Sequence, residues 1–211
     1  MDQQDKKNII LIGYSGHAYV IADSLNNSNK KIIGYTDTKI SKNNPCNLKY
    51  LGYEKSDDFK FLNKEFSFFV AVGNNNLRYS ISKFMRSKRQ TIINVIDNKS
   101  VISKDIRLGT GIFIAKNVSI NAFCKIENDV IINTSAVIDH ECIVEPGSHI
   151  APGAVLLGNV SVGKKSFIGA NSVVKEGVKI GDNVIVGAGS VVLKDVSDNS
   201  IIYGNPAKLK S

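Results

Sequence analysis

Between residues 96 and 197 the chain repeats itself every six residues. An aliphatic residue stands at Ile96, Ile102, Leu108 and so on through Ile138, Val144, Ile150 and Leu156 to Val192, seventeen hexads without an insertion or a polar exception. Four residues after each aliphatic the chain places a small or apolar residue, among them Cys124, Ala136, Cys142, Ser148, Ala154, Ser166, Ser172 and Ser190. A helix repeats every 3.6 residues and a half-buried strand every 2, so a period of six fits neither. It marks a parallel β-helix, a solenoid of short strands and tight corners. Three hexads close one triangular coil of eighteen residues. The aliphatic side chains point into the prism, the small residue fits the corner, and coils stack at the strand spacing of about 4.8 Å.

Composition narrows the alternatives. No apolar run approaches the roughly 20 residues of a membrane span, and Asn8 is followed by only four aliphatics before Gly13, too few for a signal-peptide core. A cytoplasmic protein with no membrane partner is expected. Three cysteines, an odd number, argue against a disulfide framework. Cys124 and Cys142 lie eighteen residues apart, on adjacent coils, and read as core residues; no metal-ligand spacing is present. The net charge of +8 is uneven. Residues 1–92 hold 15 Lys and Arg against 8 Asp and Glu, a net of +7, while residues 93–211 hold 12 against 11, a net of +1. A basic N-terminal part suits an anionic small ligand. No nucleic-acid-binding motif accompanies it, so no nucleic-acid partner is expected.

Residues 1–95 read as a small α/β domain, and residues 96–211 as the solenoid with a C-terminal tail. Lys7 to Gly13 is a buried parallel-type strand, Gly13-Tyr14-Ser15-Gly16-His17 a glycine turn, and His17 to Asn27 a helix. A second strand runs from Lys31 to Asp37. Strand, glycine turn, helix and a strand ending in an acid form the first unit of a Rossmann-like nucleotide-binding fold. Backbone N–H groups at the helix start face a pyrophosphate, and Asp37 is delivered to the ribose or base. The turn departs from the dinucleotide fingerprint, and the domain is too small for a nicotinamide-dinucleotide enzyme. A short strand near Tyr50 to Gly52, a third strand from Phe66 to Gly73, a turn at Gly73-Asn74, a basic helix from Leu77 to Arg89 and a strand from Thr91 to Ile96 complete the domain.

A packed prism leaves function to its outside. His140, one of three histidines, is the third residue of its hexad and faces outward near a corner. One coil up lies Gly158, so a ligand has room against the coil. Imidazole titrates near neutrality and suits a general base, and Glu141 beside it would orient the ring. Asn133, seven residues earlier, would join the site around the same corner. Two outer columns, Ala115, Asn133, Ala151, Gly169, Gly187 and Lys116, Thr134, Pro152, Ala170, Ala188, read from residue 151 upward as a shallow groove for a pantetheine arm.

These blocks together carry a resemblance. Gly13-Tyr14-Ser15-Gly16-His17, Val72-Gly73-Asn74-Asn75, Asn133-Thr134-Ser135 through His140-Glu141-Cys142, and Gly204-Asn205-Pro206-Ala207-Lys208 are similar to those of bacterial nucleotide-sugar N-acetyltransferases of the left-handed β-helix class. Those enzymes acetylate UDP-, dTDP- or GDP-linked 4-amino-4,6-dideoxy sugars, the bacillosamine pathway among them; sialic acid O-acetyltransferases are cousins. The resemblance implies a left-handed coil, a homotrimer with each active site between two solenoids, and acetyl-CoA as co-substrate. It implies catalysis by His140 with Glu141, and substrate binding by Gly13, Ser15, Gly16, His17, Asp37, Gly73, Asn74 and Asn133. His149, Gly158, Ala170, Ala188 and Lys208 would line acetyl-CoA. Where relatives carry a second acid after Asp37, this chain has Thr38, which leaves the base open. O-acetylation of a sialic acid or related sugar, or a non-catalytic binding solenoid, are the alternatives.

Overall fold

The computed structural model describes residues 8–26, 28, 30–63 and 65–210. The chain divides into two compact units, residues 1–95 and 96–211.

The first unit is a four-stranded parallel sheet with two helices. It comprises β1 (Asn8–Ile12), α1 (Gly16–Asn26), β2 (Lys31–Thr36), β3 (Phe66–Val70), α2 (Asn75–Ser87) and β4 (Thr91–Ile92), with strand order β2-β1-β3-β4. The expected Lys7 and Asn27 ends of the first strand and helix lie outside the described residues. Near Tyr50 the expected strand is reduced to a single bridge to Tyr35, and the last strand breaks after Ile92. The apolar runs of β1 and β3 are buried on both faces, as central parallel strands must be. Ile10, Ile12, Phe68 and Val70 pack with Ile81 and Met85 of α2 and Ile92 of β4. Asn74 caps α2, its side chain accepting from the Leu77 N–H at 3.0 Å.

The second unit is the solenoid. Two-residue strands recur every six residues as far as Val191–Val192. They form three sheets, parallel throughout except for a final antiparallel pair, Ile201–Tyr203 with Lys208–Leu209. A six-stranded sheet runs from Val101–Ile102 to Val191–Val192, and a five-stranded sheet from Arg107–Leu108 to Lys179–Ile180. An eight-stranded sheet includes Phe113–Ile114 through Ile185–Val186 and ends on Ile201–Tyr203 and Lys208–Leu209. The register is eighteen residues, as in Val137 against Val155 and Ile138 against Leu156. From Ile114 to Val192 every sixth aliphatic is buried. Ile96 and Leu108, expected inside the prism, are 41% and 36% exposed instead. They belong to the first coil, whose open end no further rung covers.

The corners explain the rest of the hexad. At the third corner residue φ is positive in fourteen consecutive hexads, from Gly111 to Gly189. Only glycine and, less readily, Asn or Asp visit this region at low cost, and nine of the fourteen are Gly or Asn: Gly111, Gly147, Gly153, Gly177, Gly189, Asn117, Asn159, Asn171 and Asn183. The small corner serines are fully buried and tie coils together. Ser148 Oγ donates to Gly163 O at 2.6 Å, Ser166 Oγ to Gly181 O at 2.7 Å and Ser172 Oγ to Gly187 O at 2.9 Å.

Candidate active site

Two places gather the candidate residues, one in each unit. In the first unit β1 and β3 are neighbours while their helices follow opposite routes, so their C-terminal ends flank the switch point where α/β sheets bind ligands. A cavity of about 500 Å³ opens there, lined by Gly13, Ser15, His17, Asp37, Gly73 and Asn74, with Glu54 and Lys55. Gly13 has φ +86, and a Cβ on it would stand 2.6 Å from Val72 Cγ2, so no other residue fits the turn. Asp37, just beyond β2, accepts from the Tyr14 N–H at 3.1 Å and the Thr38 N–H at 2.7 Å, and so clamps the glycine turn to the strand beside it. His17 is pushed down to about 4 by burial and by the nearby charge of Arg78, so it is neutral at pH 7. Glu54 and Arg78, both buried, were not singled out from sequence. Glu54 accepts from Thr36 Oγ1 at 2.9 Å. A buried charge inside a polar loop or helix leaves no periodic signal to find.

In the second unit His140 lies on the corner leading from the six-stranded to the five-stranded sheet. The Asp139 carboxylate fixes the turn, accepting from the His140 N–H at 2.8 Å and from Asn121 Nδ2 at 2.7 Å. Those hydrogen bonds, the one from Asn121 foremost, hold its pKa below the usual carboxylate value. The His140 carbonyl accepts from the Asn159 N–H at 2.8 Å, and the Glu141 N–H donates to Ala122 O at 3.0 Å. His140 Nδ1 lies 3.0 Å from Glu141 Oε2, which orients the ring and leaves Nε2 for proton transfer. That nitrogen lies against Gly158: a Cβ there would come within 2.6 Å of both Nε2 and Cε1. Any side chain at 158 would displace the imidazole. A cavity of about 350 Å³ borders His140, Leu157, Gly158 and Glu176. Cys124 and Cys142 are buried behind this corner, and the Cys142 thiol, held up by its hydrogen bond with Cys124 and by burial, is no nucleophile.

Asn133 does not share the corner of His140. It sits on the preceding one, between the eight- and six-stranded sheets, with the strand Val137–Ile138 between them. There its Nδ2 lies 3.1 Å from His149 Nε2, and the His149 ring packs edge-on against Phe167 with centroids 5.0 Å apart. Asn133 and His149, expected on different ligands, form one cluster. The expected groove is also corrected. Ala115 and Ala151 are buried, and Cβ atoms on Gly169 and Gly187 would meet Ala188 N at 2.5 Å and Tyr203 Cβ at 2.8 Å. That column is small because the chain's own packing fills it. The neighbouring column, with Ala170 half-buried and Ala188 exposed, remains open. Lys208 is exposed at the C-terminal end. Among the described residues no cluster of metal-ligating side chains exists, and no helix is long and apolar enough to cross a membrane.

A prism of hexads bearing an outward histidine over a glycine, with a nucleotide-binding-type α/β unit in the same chain, defines a class of acyl-transferring solenoids, and comparison with known proteins specifies it. Residues 8–85 match the PglD N-terminal domain. Residues 123–158 match the bacterial transferase hexapeptide of six repeats, and residues 159–194 the hexapeptide repeat of succinyl-transferase. Perosamine N-acetyltransferase from Caulobacter crescentus, crystallised as a histidine-to-asparagine variant with CoA and GDP-perosamine, is 33% identical over 97% of both chains with a TM-score of 0.90. The acetyltransferase domain of PglB from Neisseria gonorrhoeae, solved with acetyl coenzyme A, is 27% identical over 97% of this chain and 99% of that one, with a TM-score of 0.86. WeeI from Acinetobacter baumannii, at 22% identity and a TM-score of 0.83, shares the fold. The chain belongs to the hexapeptide-repeat nucleotide-sugar N-acetyltransferases. It is an acyltransferase whose co-substrate is acetyl-CoA.

Proposed function

We propose that this enzyme acetylates the 4-amino group of a nucleotide-linked 4-amino-4,6-dideoxy sugar, with His140 as general base. The observation that carries the reading is the His140 ring, oriented by Glu141 through Nδ1 and lying with Nε2 against Gly158. In direct transfer the sugar amine attacks the thioester carbonyl carbon and gives its proton to His140 Nε2. A C–N bond forms, the tetrahedral oxyanion is met by the Gly158 N–H, the C–S bond breaks, and the thiolate takes the proton from the imidazolium. Amide and free CoA result, and no acyl-enzyme is needed. The GDP-perosamine bound by the Caulobacter relative supports an aminodeoxy sugar as acceptor. Gly13, Ser15, Gly16, His17, Asp37, Gly73 and Asn74, which line or border the α/β cavity, bind the nucleotide diphosphate. Ala170 and Ala188, with His149, Gly158 and Lys208, follow the acetyl-CoA arm, and Asn133 holds His149 in place.

The separation of these residues over two corners supports a further part of the reading, a homotrimer. The outward residues of the six-stranded sheet between the corners are Val101, Val137, Val155, Val173 and Val191, with Ser119. Packing this apolar ladder on a second copy lets His140 of one solenoid face the open Ala170–Ala188 column of the next.

A screen of UDP-, dTDP- and GDP-linked 4-amino-4,6-dideoxyhexoses and their 4-hydroxy counterparts, with acetyl-CoA, tests the reaction by product mass and thiol release. Acetylation of an amino sugar with no turnover of its hydroxyl counterpart is expected. Turnover of the hydroxyl sugars alone would replace the reading with O-acetylation.

A further inference from the structure

Arg78 is a buried cation that neither the sequence pattern nor the catalytic reading uses. It is 1% exposed, at the first turn of α2. Its Nη1 donates to the Val72 carbonyl at 3.1 Å and to the Gly73 carbonyl at 3.0 Å, and its Nη2 to Asn75 Oδ1 at 2.9 Å. Val72, Gly73 and Asn74 all line the α/β cavity.

We propose that Arg78 is the positioning residue for the nucleotide diphosphate: by drawing the Val72 and Gly73 carbonyls to its guanidinium, it turns the N–H groups of Gly73 and Asn74 the other way, to receive an anion. The inference rests on the reading of this cavity as the nucleotide site.

Three observations carry it. First, the only cis peptide among the described residues is Asn205–Pro206. The Val72–Gly73 and Gly73–Asn74 peptides are therefore trans, and in a trans peptide N–H points opposite to C=O. Fixing two carbonyls on one side fixes two N–H groups on the other. Successive N–H groups aimed together make an anion-binding concavity. Second, Gly73 is not a glycine for the chain's own sake. A Cβ there would meet nothing within 4 Å, and its φ lies outside the positive range. Gly16, at the start of α1, is likewise open. Both turns leave bare backbone to open space, as a ligand held by main-chain N–H groups requires. Third, the field of the cation reaches the cavity, because its charge helps keep His17, a lining residue, unprotonated. A planar fork holds the two carbonyls and the side-chain amide from two nitrogens at a fixed spacing, which the single nitrogen of a lysine does not reproduce.

The experiment is calorimetry with UDP, dTDP and GDP on wild type, Arg78→Gln and Arg78→Lys, with acetyl-CoA titrated into each as a control. Wild type binds at least one nucleotide. For that nucleotide Arg78→Gln weakens binding at least tenfold, and Arg78→Lys, which keeps the charge and loses the fork, at least threefold, while acetyl-CoA affinity stays within twofold. Where the Gln variant does not fold, the Lys variant decides alone. Nucleotide binding within threefold of wild type in the folded Lys variant, or a parallel loss of acetyl-CoA binding, overturns the role of Arg78. A wild-type enzyme that binds none of the three nucleotides overturns the reading of the cavity, and the inference with it.

Discussion

Single residues carry the two sharpest expectations. Glu141 occupies a corner position with φ +59, where most other corners use Gly or Asn. An L-residue there costs about 1–2 kcal/mol, and its contact with His140 is exposed on both sides, so it returns little stability. Strain kept without structural return fits the role proposed for Glu141 beside His140. Glu141→Asn is therefore expected to leave thermal stability unchanged or raise it by up to about 1 kcal/mol, while kcat falls. Calorimetric unfolding alongside steady-state rates checks the opposite signs. His17 gives the pH expectation. Its folded value, about 4, lies below the ordinary 6.5, so the unfolded chain binds the proton first. Stability is fully present above pH 6.5 and lost as pH falls toward 4, by about 3 kcal/mol in all, at about 1.4 kcal/mol per pH unit. Unfolding by denaturant between pH 7 and 4 is expected to show this slope, and His17→Gln to flatten it.

At the scale of elements, stability of the solenoid rests on its rungs. Ser166 is a rung fastener: its hydroxyl donates to Gly181 O and accepts from the Val184 N–H at 2.9 Å, fully buried. Ser166→Ala leaves both partners buried with a bond lost, and is expected to cost about 1–3 kcal/mol, measured as a lower denaturation midpoint at unchanged slope. The hexads made these elements legible before any coordinates, because strand, corner and register all follow from one period. What the period could not convey was which small residues serve the chain and which leave room for a ligand. Gly169 and Gly158 read alike in sequence; one is filled by the backbone of the next coil and the other by the His140 ring. Asn133 was misplaced for a related reason. Spacing of seven residues suggests proximity, whereas a two-residue strand between two corners carries His140 to another edge of the prism. Arg78 stayed hidden because a basic helix shows many cations, and only burial separates the one under the turn from those in water.

For the molecule as a whole, the proposed reading puts the acetyl-CoA column and the general base on different corners, and so predicts that catalysis is a property of an assembly. Mixed oligomers of His140→Ala and Ala170→Arg chains, each expected to be strongly impaired alone, are expected to regain a fraction of wild-type activity when co-refolded, since some interfaces then pair an intact base with an intact column. No recovery from well-folded mixtures would place both functions within one chain. Beneath all of this lies the role of His140, which one comparison tests most directly: the pre-steady-state acetyl-transfer rate of His140→Ala against wild type, on the nucleotide sugar the wild type accepts, with acetyl-CoA binding measured in both. The account predicts a rate lower by about 10²–10⁴ with unchanged acetyl-CoA affinity; a rate near that of wild type would contradict it.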